Sequence, residues 1–251
     1  MVHINDIAER RGVLYSLAPF SDGIKAQKRQ IDLLDFTYSN LRLYGSKLTR
    51  EGVRSILSGN SILGVPLYEH KLCEAHRRLL AKFDDRLDMK LEIDIPLLDD
   101  FCSILAGTKP PPRRKGEPLL YHLDFVPVDD DRIAGCLAEA FLAVKNAEKR
   151  GAYGAGAETD FCMKAAAVHM GIVKAYPYAD GFSELAARAA MQYALMRAGY
   201  FPVDIEVSEP EYNTVTAAAI KTGDAAALAG LLRAAVDKKL RFLIDAVKRD
   251  Q

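Results

Sequence analysis

Between Ala165 and Pro202 the chain sets a phenol, two carboxylates and a guanidinium around one bend: Tyr176, Asp180, Glu184 and Arg188, in the run YPYADGFSELAAR. A helix ends at Tyr176-Pro177, the chain passes through Ala179-Asp180-Gly181, and Phe182 to Arg197, rich in Ala, Leu, Met and Arg, starts the next helix. The first turn of such a helix carries orphan backbone N–H groups and the positive end of a dipole, so the bend is an anion site before any side chain is considered. Asp180 and Glu184, four apart at a helix start, could instead share a cation such as Mg²⁺. Asp180 could equally cap the helix, and Glu184 could simply complement its dipole. A phenol titrates near about 10, so Tyr176 is protonated at neutral pH; acting as a base there requires a shift of about three units, or ~4 kcal/mol. Its plainer role is a buried plug that finds one hydrogen-bond partner. Tyr178 and Phe182 make the rim apolar, which suits a flat or hydrophobic ligand, or packing alone. His169 shares an apolar face with Ala165 and Ile172 and reads as a core histidine.

The elements that must position this bend are helical. Apolar residues at helical spacing mark helices over 4–18 and 24–43, with Ser21 or Asp22 starting the second and Tyr44-Gly45-Ser46 ending it. A short helix follows from Thr49 to Ser58, then one from Pro66 to Phe83 and one from Leu97 to Leu105 stopped by Gly107. His70 and His76 are six apart, on different faces, and read as ordinary helix-surface residues. Lys109 to Gly116, KPPPRRKG, is extended and reads first as a stiff solvated linker, alternatively as the arm of a flap. Leu119 to Val126 is the one β candidate, for an edge hairpin. Ile133 to Lys149 is an amphipathic helix and Gly151 to Gly156 a flexible loop. Helices then cover Glu158 to Ala175 and Phe182 to Ala198, and two more, separated at Thr222-Gly223-Asp224, fill Pro210 to Gln251.

Composition bounds the function. With 251 residues, of which 49% are apolar, the chain can bury a sizeable core. Its 34 basic and 34 acidic side chains balance, which removes the charge footprint of a nucleic-acid binder. Cys73, Cys102, Cys136 and Cys162 lie about thirty residues apart without any C-x-x-C pair, as expected of thiols in a reducing compartment. No apolar run is long enough for a membrane span and the N-terminus carries early charges, so a cytoplasmic protein without membrane or nucleic-acid partners is expected. A protein partner is not identified, and a homo-oligomer stays open.

The run from Tyr176 to Arg188 resembles the signature of the Fic/Doc family, HPFxDGNGRxxR. Tyr176 stands at the His, Pro177 matches, Tyr178 stands at the Phe, and Asp180 and Gly181 match. Phe182 stands at the Asn, Ser183 at the Gly, Glu184 at the first Arg and Ala187 at the second, with Arg188 one place late. His169, seven residues before Tyr176, and the exit RAGYFPV are similar to what members carry. Arg54 to Asn60, RSILSGN, is similar to the inhibitory-helix pattern [ST]xxxEGN, with Ser58 at its glutamate and Arg54 at its Ser/Thr. Gly116 to Ile133 is similar to the family's hairpin flap, and Glu211 to Leu228 to its tail.

The resemblance implies a mainly α Fic-fold domain with a small β-hairpin flap and N-terminal helices packed on it. The corresponding divisions are 1–45 for the N-terminal helices, 46–235 for the Fic-like domain and 236–251 for a helical tail. It also implies an activity, AMP transfer from ATP to a protein hydroxyl. In that chemistry the His is the general base, the Asp holds Mg²⁺, and the Asn and both Arg bind phosphates. Mg²⁺ and ATP are therefore implied by resemblance alone. With Tyr176 at the base position and Glu184 reversing a charge, the expectation is a degenerate site: a pseudoenzyme, or a protein acting on a non-ATP ligand. The alternatives are an active nucleotidyl- or phospho-group transferase with relocated residues, Arg188 turned inward and His169 or His122 as base, and a structural interaction module. The ligand-binding turn comprises Pro177, Asp180, Gly181, Phe182, Ser183, Glu184 and Arg188, with Tyr176 at the catalytic position and Asp180 as the metal candidate.

Overall fold

The computed structural model describes residues 3–118, 120, 122–149 and 160–250. Among them are ten α-helices: α1 (Ile4–Ser16), α2 (Asp22–Arg42), α3 (Arg50–Leu57), α4 (Leu67–Asp88), α5 (Ile95–Ala106), α6 (Ile133–Lys149), α7 (Phe161–Ala175), α8 (Phe182–Arg197), α9 (Glu209–Thr222) and α10 (Ala226–Asp250). Local chemistry sets many of their ends. Ser21, Thr49, Asp94, Asp160 and Ser208 each accept a hydrogen bond from a backbone N–H of the first turn that follows, and Gly107 and Gly223 close α5 and α9 in the left-handed conformation. Helix α4 runs five residues past the expected end at Phe83, because Asp84 to Asp88 contain no breaker.

Helix α8 is the axis of the molecule, with every residue from Ser183 to Leu195 buried. Alanines at 186, 187, 189, 190 and 194 leave room for neighbours on all sides, and α7, α5, α4 and α2 pack against it. Two cores result. Phe36, Phe83, Phe101 and Tyr193 form tilted and edge-on ring contacts in the core of α2, α4, α5 and α8. On the other side α1, α7, α9 and α10 enclose Phe161, Tyr200, Tyr212 and Leu232. A buried charge network joins α2 and α3 to α10: Lys239 Nζ lies 2.9 Å from Asp32 and 2.5 Å from Asp35, while Arg50 binds both Asp35 and Asp204. An open cleft of about 1370 Å³ lies over this network, lined by Arg42, Arg50 and Lys239 among others, and these three cations are already paired with its acids.

Three stretches differ from the sequence reading. No β-strand occurs among the described residues: Leu123 N–H donates to Leu120 O in a turn and 122–125 continue as turn and bend, while positions 119 and 121 of the expected strand lie outside the described residues. Prolines at 112, 118 and 127 bracket the run and withhold ladder donors. The KPPPRRKG segment is extended and largely exposed, as a linker would be, but it is tied down: Pro111 and Arg114 are buried, and the backbones of Pro112 and Arg114 hydrogen-bond to 177–179. His76 is not a surface residue, being fully buried. The Gly151–Gly156 loop, and the start of the preceding expectation for α7 at Glu158, lie outside the described residues. No helix among the described residues is long and apolar enough to cross a membrane.

Candidate functional site

The bend between α7 and α8 is held open by backbone conformations that side chains resist. Tyr176 ends α7 at φ 47°, Asp180 has φ 53° and Gly181, the N-cap of α8, has φ 77°. A non-glycine residue in the left-handed region is costly, and two of them close together are held only by strong surroundings. Those surroundings can be named. Ser183 Oγ accepts from Tyr178 N–H at 2.7 Å and donates to Tyr178 O at 2.9 Å, clasping the bend from inside. The Tyr178 hydroxyl donates to Asp99 Oδ1 at 2.5 Å, anchoring the bend on α5. From outside, the Pro-rich segment lies antiparallel to it: Arg114 N–H donates to Pro177 O (3.1 Å), Ala179 N–H donates to Pro112 O (3.0 Å), and Arg113 lies over the Tyr178 ring while pairing with Asp99. Tyr44, just past α2, covers Gly181 and donates to Asp180 O at 3.0 Å.

Glu184 is the chemical centre. It is 5% exposed, and its Oε1 accepts from the Tyr176 hydroxyl and lies against His122 Nε2, both at 2.8 Å. Arg188 Nη1, one turn on, lies 3.9 Å from Oε2. Burial opposes ionisation of this carboxyl, but the His122 hydrogen bond, Arg188 and the Tyr176 hydrogen bond together hold it below its usual range. The same hydrogen bond raises His122 above its ordinary value against the effect of burial. Burial, and then the Glu184 charge, push the Tyr176 phenol far up, so it stays a donor. The arrangement is an ionised carboxylate holding one phenol and one imidazole.

Behind it runs a second polar layer that sequence reasoning missed. Arg188 is 2% exposed; its Nε donates to Asn40 Oδ1 at 2.6 Å, and its Nη2 has no hydrogen-bond partner among the described residues. Asn40 Nδ2 faces His76 Nε2 at 2.8 Å, and His76 Nδ1 lies 2.7 Å from Leu72 O. A carbonyl only accepts, so Nδ1 carries the proton and Nε2 receives the Asn40 amide; burial lowers His76 to about 4 in keeping with that neutral form. His169 is buried as expected, hydrogen-bonded to Tyr212 Oη at 2.8 Å and pushed down to about 3 by burial and then Arg188. Along α8 the residues Glu184, Arg188 and Gln192 recur every fourth position, forming a buried polar stripe in an otherwise apolar helix; Gln192 exchanges two hydrogen bonds with Val203. That four-residue period marks a polar stripe on α8 in the sequence, though not its partner Asn40.

The other expected residues fall into place unevenly. Pro177, Ser183 and Tyr178 build the bend, and Phe182 packs partly buried against the first core. Asp180 is exposed and does not cap α8, whose N-cap Gly181 has no side-chain hydrogen bond. No group of three or more potential metal ligands occurs among the described residues. Glu184 is engaged with Tyr176, His122 and Arg188, and Tyr44 Cε2 lies 2.6 Å from where a Gly181 side chain would start. Two cavities, of about 1370 and 640 Å³, have walls that include none of residues 176–184 among the described residues.

No protein-family model matches the sequence, and no curated protein matches it. Solved structures do. A Fic-domain-containing signaling protein from Bacteroides thetaiotaomicron VPI-5482 superposes with a TM-score of 0.79 at 17% identity, covering 97% of this chain and 98% of that one. Fic-1 from C. elegans gives 0.76 at 18% identity over 98% of this chain and 73% of its own. A Fic family protein from Desulfovibrio desulfuricans G20 gives 0.65 at 18% identity over 95% and 73%. At such identities the likeness is one of fold, and along nearly its whole length this chain has the fold of the Fic-domain proteins.

Proposed function

We propose that this Fic-fold chain does not transfer AMP from ATP, and that it works as a pseudoenzyme or on a ligand other than ATP held at the bend after α7. The observation that carries this reading is the Glu184 carboxylate, ionised and gripped by Tyr176 and His122 at the start of α8, where the resembled pattern has an arginine. Two unit charges about 4 Å apart at an effective dielectric near 20 interact by about 4 kcal/mol before screening, so an anion placed beside Glu184 loses what the helix N-terminus offers it. Tyr176 does not replace the missing base, because its phenol keeps its proton. The segment at 112–114, hydrogen-bonded to the bend, supports the reading of a flap arm that would present a partner chain or ligand there. Titration with ATP, with and without Mg²⁺, together with incubation with labelled ATP and candidate protein targets, tests the reading. Weak or absent binding and no labelled protein are expected; submicromolar ATP binding with AMP transfer overturns it.

The contact between His122 and Glu184 favours a second reading, a phospho-group transferase with relocated residues. An imidazole oriented by a buried carboxylate is the arrangement of a general base. Turnover that is lost in His122→Gln and kept in Tyr176→Phe would select this reading over the first.

A further inference from the structure

The cleft of about 1370 Å³ over the charge network of α2, α3 and α10 is larger than a small-molecule pocket, which holds about 300–1,000 Å³. Part of its apolar lining does no packing in the fold. Half-buried Ile31 of α2 and Phe242 of α10, which is 41% exposed, border the cleft and belong to neither core. No ring or cation covers Phe242 among the described residues. The charged lining is balanced with one exception. Arg42 pairs with Asp204, Arg50 with Asp35 and Asp204, Lys239 with Asp35, and Lys238 with Glu206, which engages all three acids of the lining. Arg77 pairs with Glu74 and donates to Leu57 O at the end of α3. Arg54 is left. It is exposed, and its guanidinium has neither an ion pair nor a hydrogen bond among the described residues. Arg54 and Ser58, one turn apart on α3, both line the cleft, so the two substituted positions of RSILSGN face it rather than the bend.

We infer that this cleft is a docking groove for a segment of a partner protein, in which an aspartate or glutamate meets Arg54 and neighbouring apolar side chains cover Ile31 and Phe242. Charge and apolar surface point to the same occupant. One uncompensated cation beside open apolar side chains suits a peptide with a single acid among apolar residues, whereas a polyanion would meet Asp204 and Glu206 and find the other cations already held. The side-chain amides of Gln27 and Gln30 also line the cleft without hydrogen-bond partners among the described residues, and each can serve a backbone N–H or C=O of the segment. The inference stands apart from the function proposed above, because the cleft shares no residue with the bend.

The test is a selection of phage-displayed random peptides on the full chain, followed by anisotropy titration of an enriched peptide carrying fluorescein. An enriched sequence with an acid flanked by apolar residues is expected. Arg54→Glu and Phe242→Ala should each weaken its binding about tenfold. Both side chains are exposed, so the thermal midpoints should stay within a few degrees of the wild type. A peptide whose acid is replaced by lysine should bind Arg54→Glu better than it binds the wild type, which identifies the pair directly. No saturable binding, enrichment of neutral or basic sequences, indifference to either variant, or no recovery in the charge swap would each overturn the assignment. So would a dimer of this chain that Arg54→Glu dissociates, since the groove would then hold a second copy.

Discussion

The Tyr176 hydroxyl donates to Glu184 Oε1 at 2.8 Å, across a bend whose two ends these residues occupy. On the resembled pattern the same two positions hold a histidine and an arginine, so the two departures from it are in contact with one another. A phenol that donates and a carboxylate that accepts make a self-satisfying pair, which is the contact that the proposed loss of AMP transfer rests on.

If that pair is a unit, Tyr176→Phe should cost about 1–2 kcal/mol, since it leaves Oε1 with His122 as its remaining hydrogen-bond partner. The second substitution, Glu184→Gln, should be nearly additive with changes at residues that do not touch it, but not with Tyr176→Phe. A double-mutant cycle read by urea unfolding should return a coupling above about 0.5 kcal/mol. A coupling of zero would mean that the two groups do not interact in solution.

Among the described residues Glu184 is the carboxylate paired with Arg188, and Asn40 accepts its side-chain hydrogen bond. Glu184→Gln removes that charge and leaves a buried guanidinium, a change that costs about 3–5 kcal/mol when one member of a buried pair is lost. Arg188→Met in the same chain should recover much of the loss. If the double variant is instead less stable than either single one, the pair is not an electrostatic unit.

The helices were legible because their ends are written locally: Ser21 caps α2, Gly107 stops α5, and Gly223-Asp224 separate α9 from α10. The bend was legible too, since Pro177 and Gly181 interrupt two strong helix formers. What could not be read were contacts between residues far apart in sequence. Asn40 meets Arg188 over a separation of 148 residues, and His76 is buried only because α2 crosses α4 at Phe36 and Asn40. Likewise nothing in KPPPRRKG says that Pro112 O will receive Ala179 N–H; the extended conformation was readable, but the partner was not. The strand expected over 119–126 failed for a related reason, as apolar alternation states a preference and a strand also needs a neighbour with matching free backbone groups.

Acid should destabilise the fold before its carboxylates titrate. His76 and His169 have an ordinary value of 6.5, and burial lowers them to about 4 and about 3 in the fold. Between those values and 6.5 the unfolded chain binds more protons than the native one, so stability rises with pH there and is lost as pH falls from 6.5 toward 4. For His76 alone the loss is on the order of 3 kcal/mol at about 1.4 kcal/mol per unit. His122 works the other way: its raised value contributes stability that is complete below 6.5 and disappears as pH rises through the folded value. Urea midpoints measured from pH 4 to 8 should therefore fall on the acid side, and His76→Phe should flatten that limb while His122→Gln changes only the alkaline one. An unchanged acid limb in His76→Phe would refute the buried neutral imidazole.

Gly181 and Tyr44 set the shape of the bend's mouth. A side chain at 181 would begin 2.6 Å from Tyr44 Cε2 and 2.8 Å from its hydroxyl, and φ 77° adds about 1–2 kcal/mol of strain for any L residue. Gly181→Ala should thus displace the tyrosine and lose its hydrogen bond to Asp180 O, lowering stability by about 2–3 kcal/mol. Tyr44→Ala in the same chain removes the collision but not the strain, so the double variant should be destabilised by less than the sum of the single ones. It should also leave the Gly181 backbone accessible, which faster hydrogen exchange at Phe182 and Ser183 N–H would register. Equal exchange in the wild type and Tyr44→Ala would show that the tyrosine does not cover the start of α8.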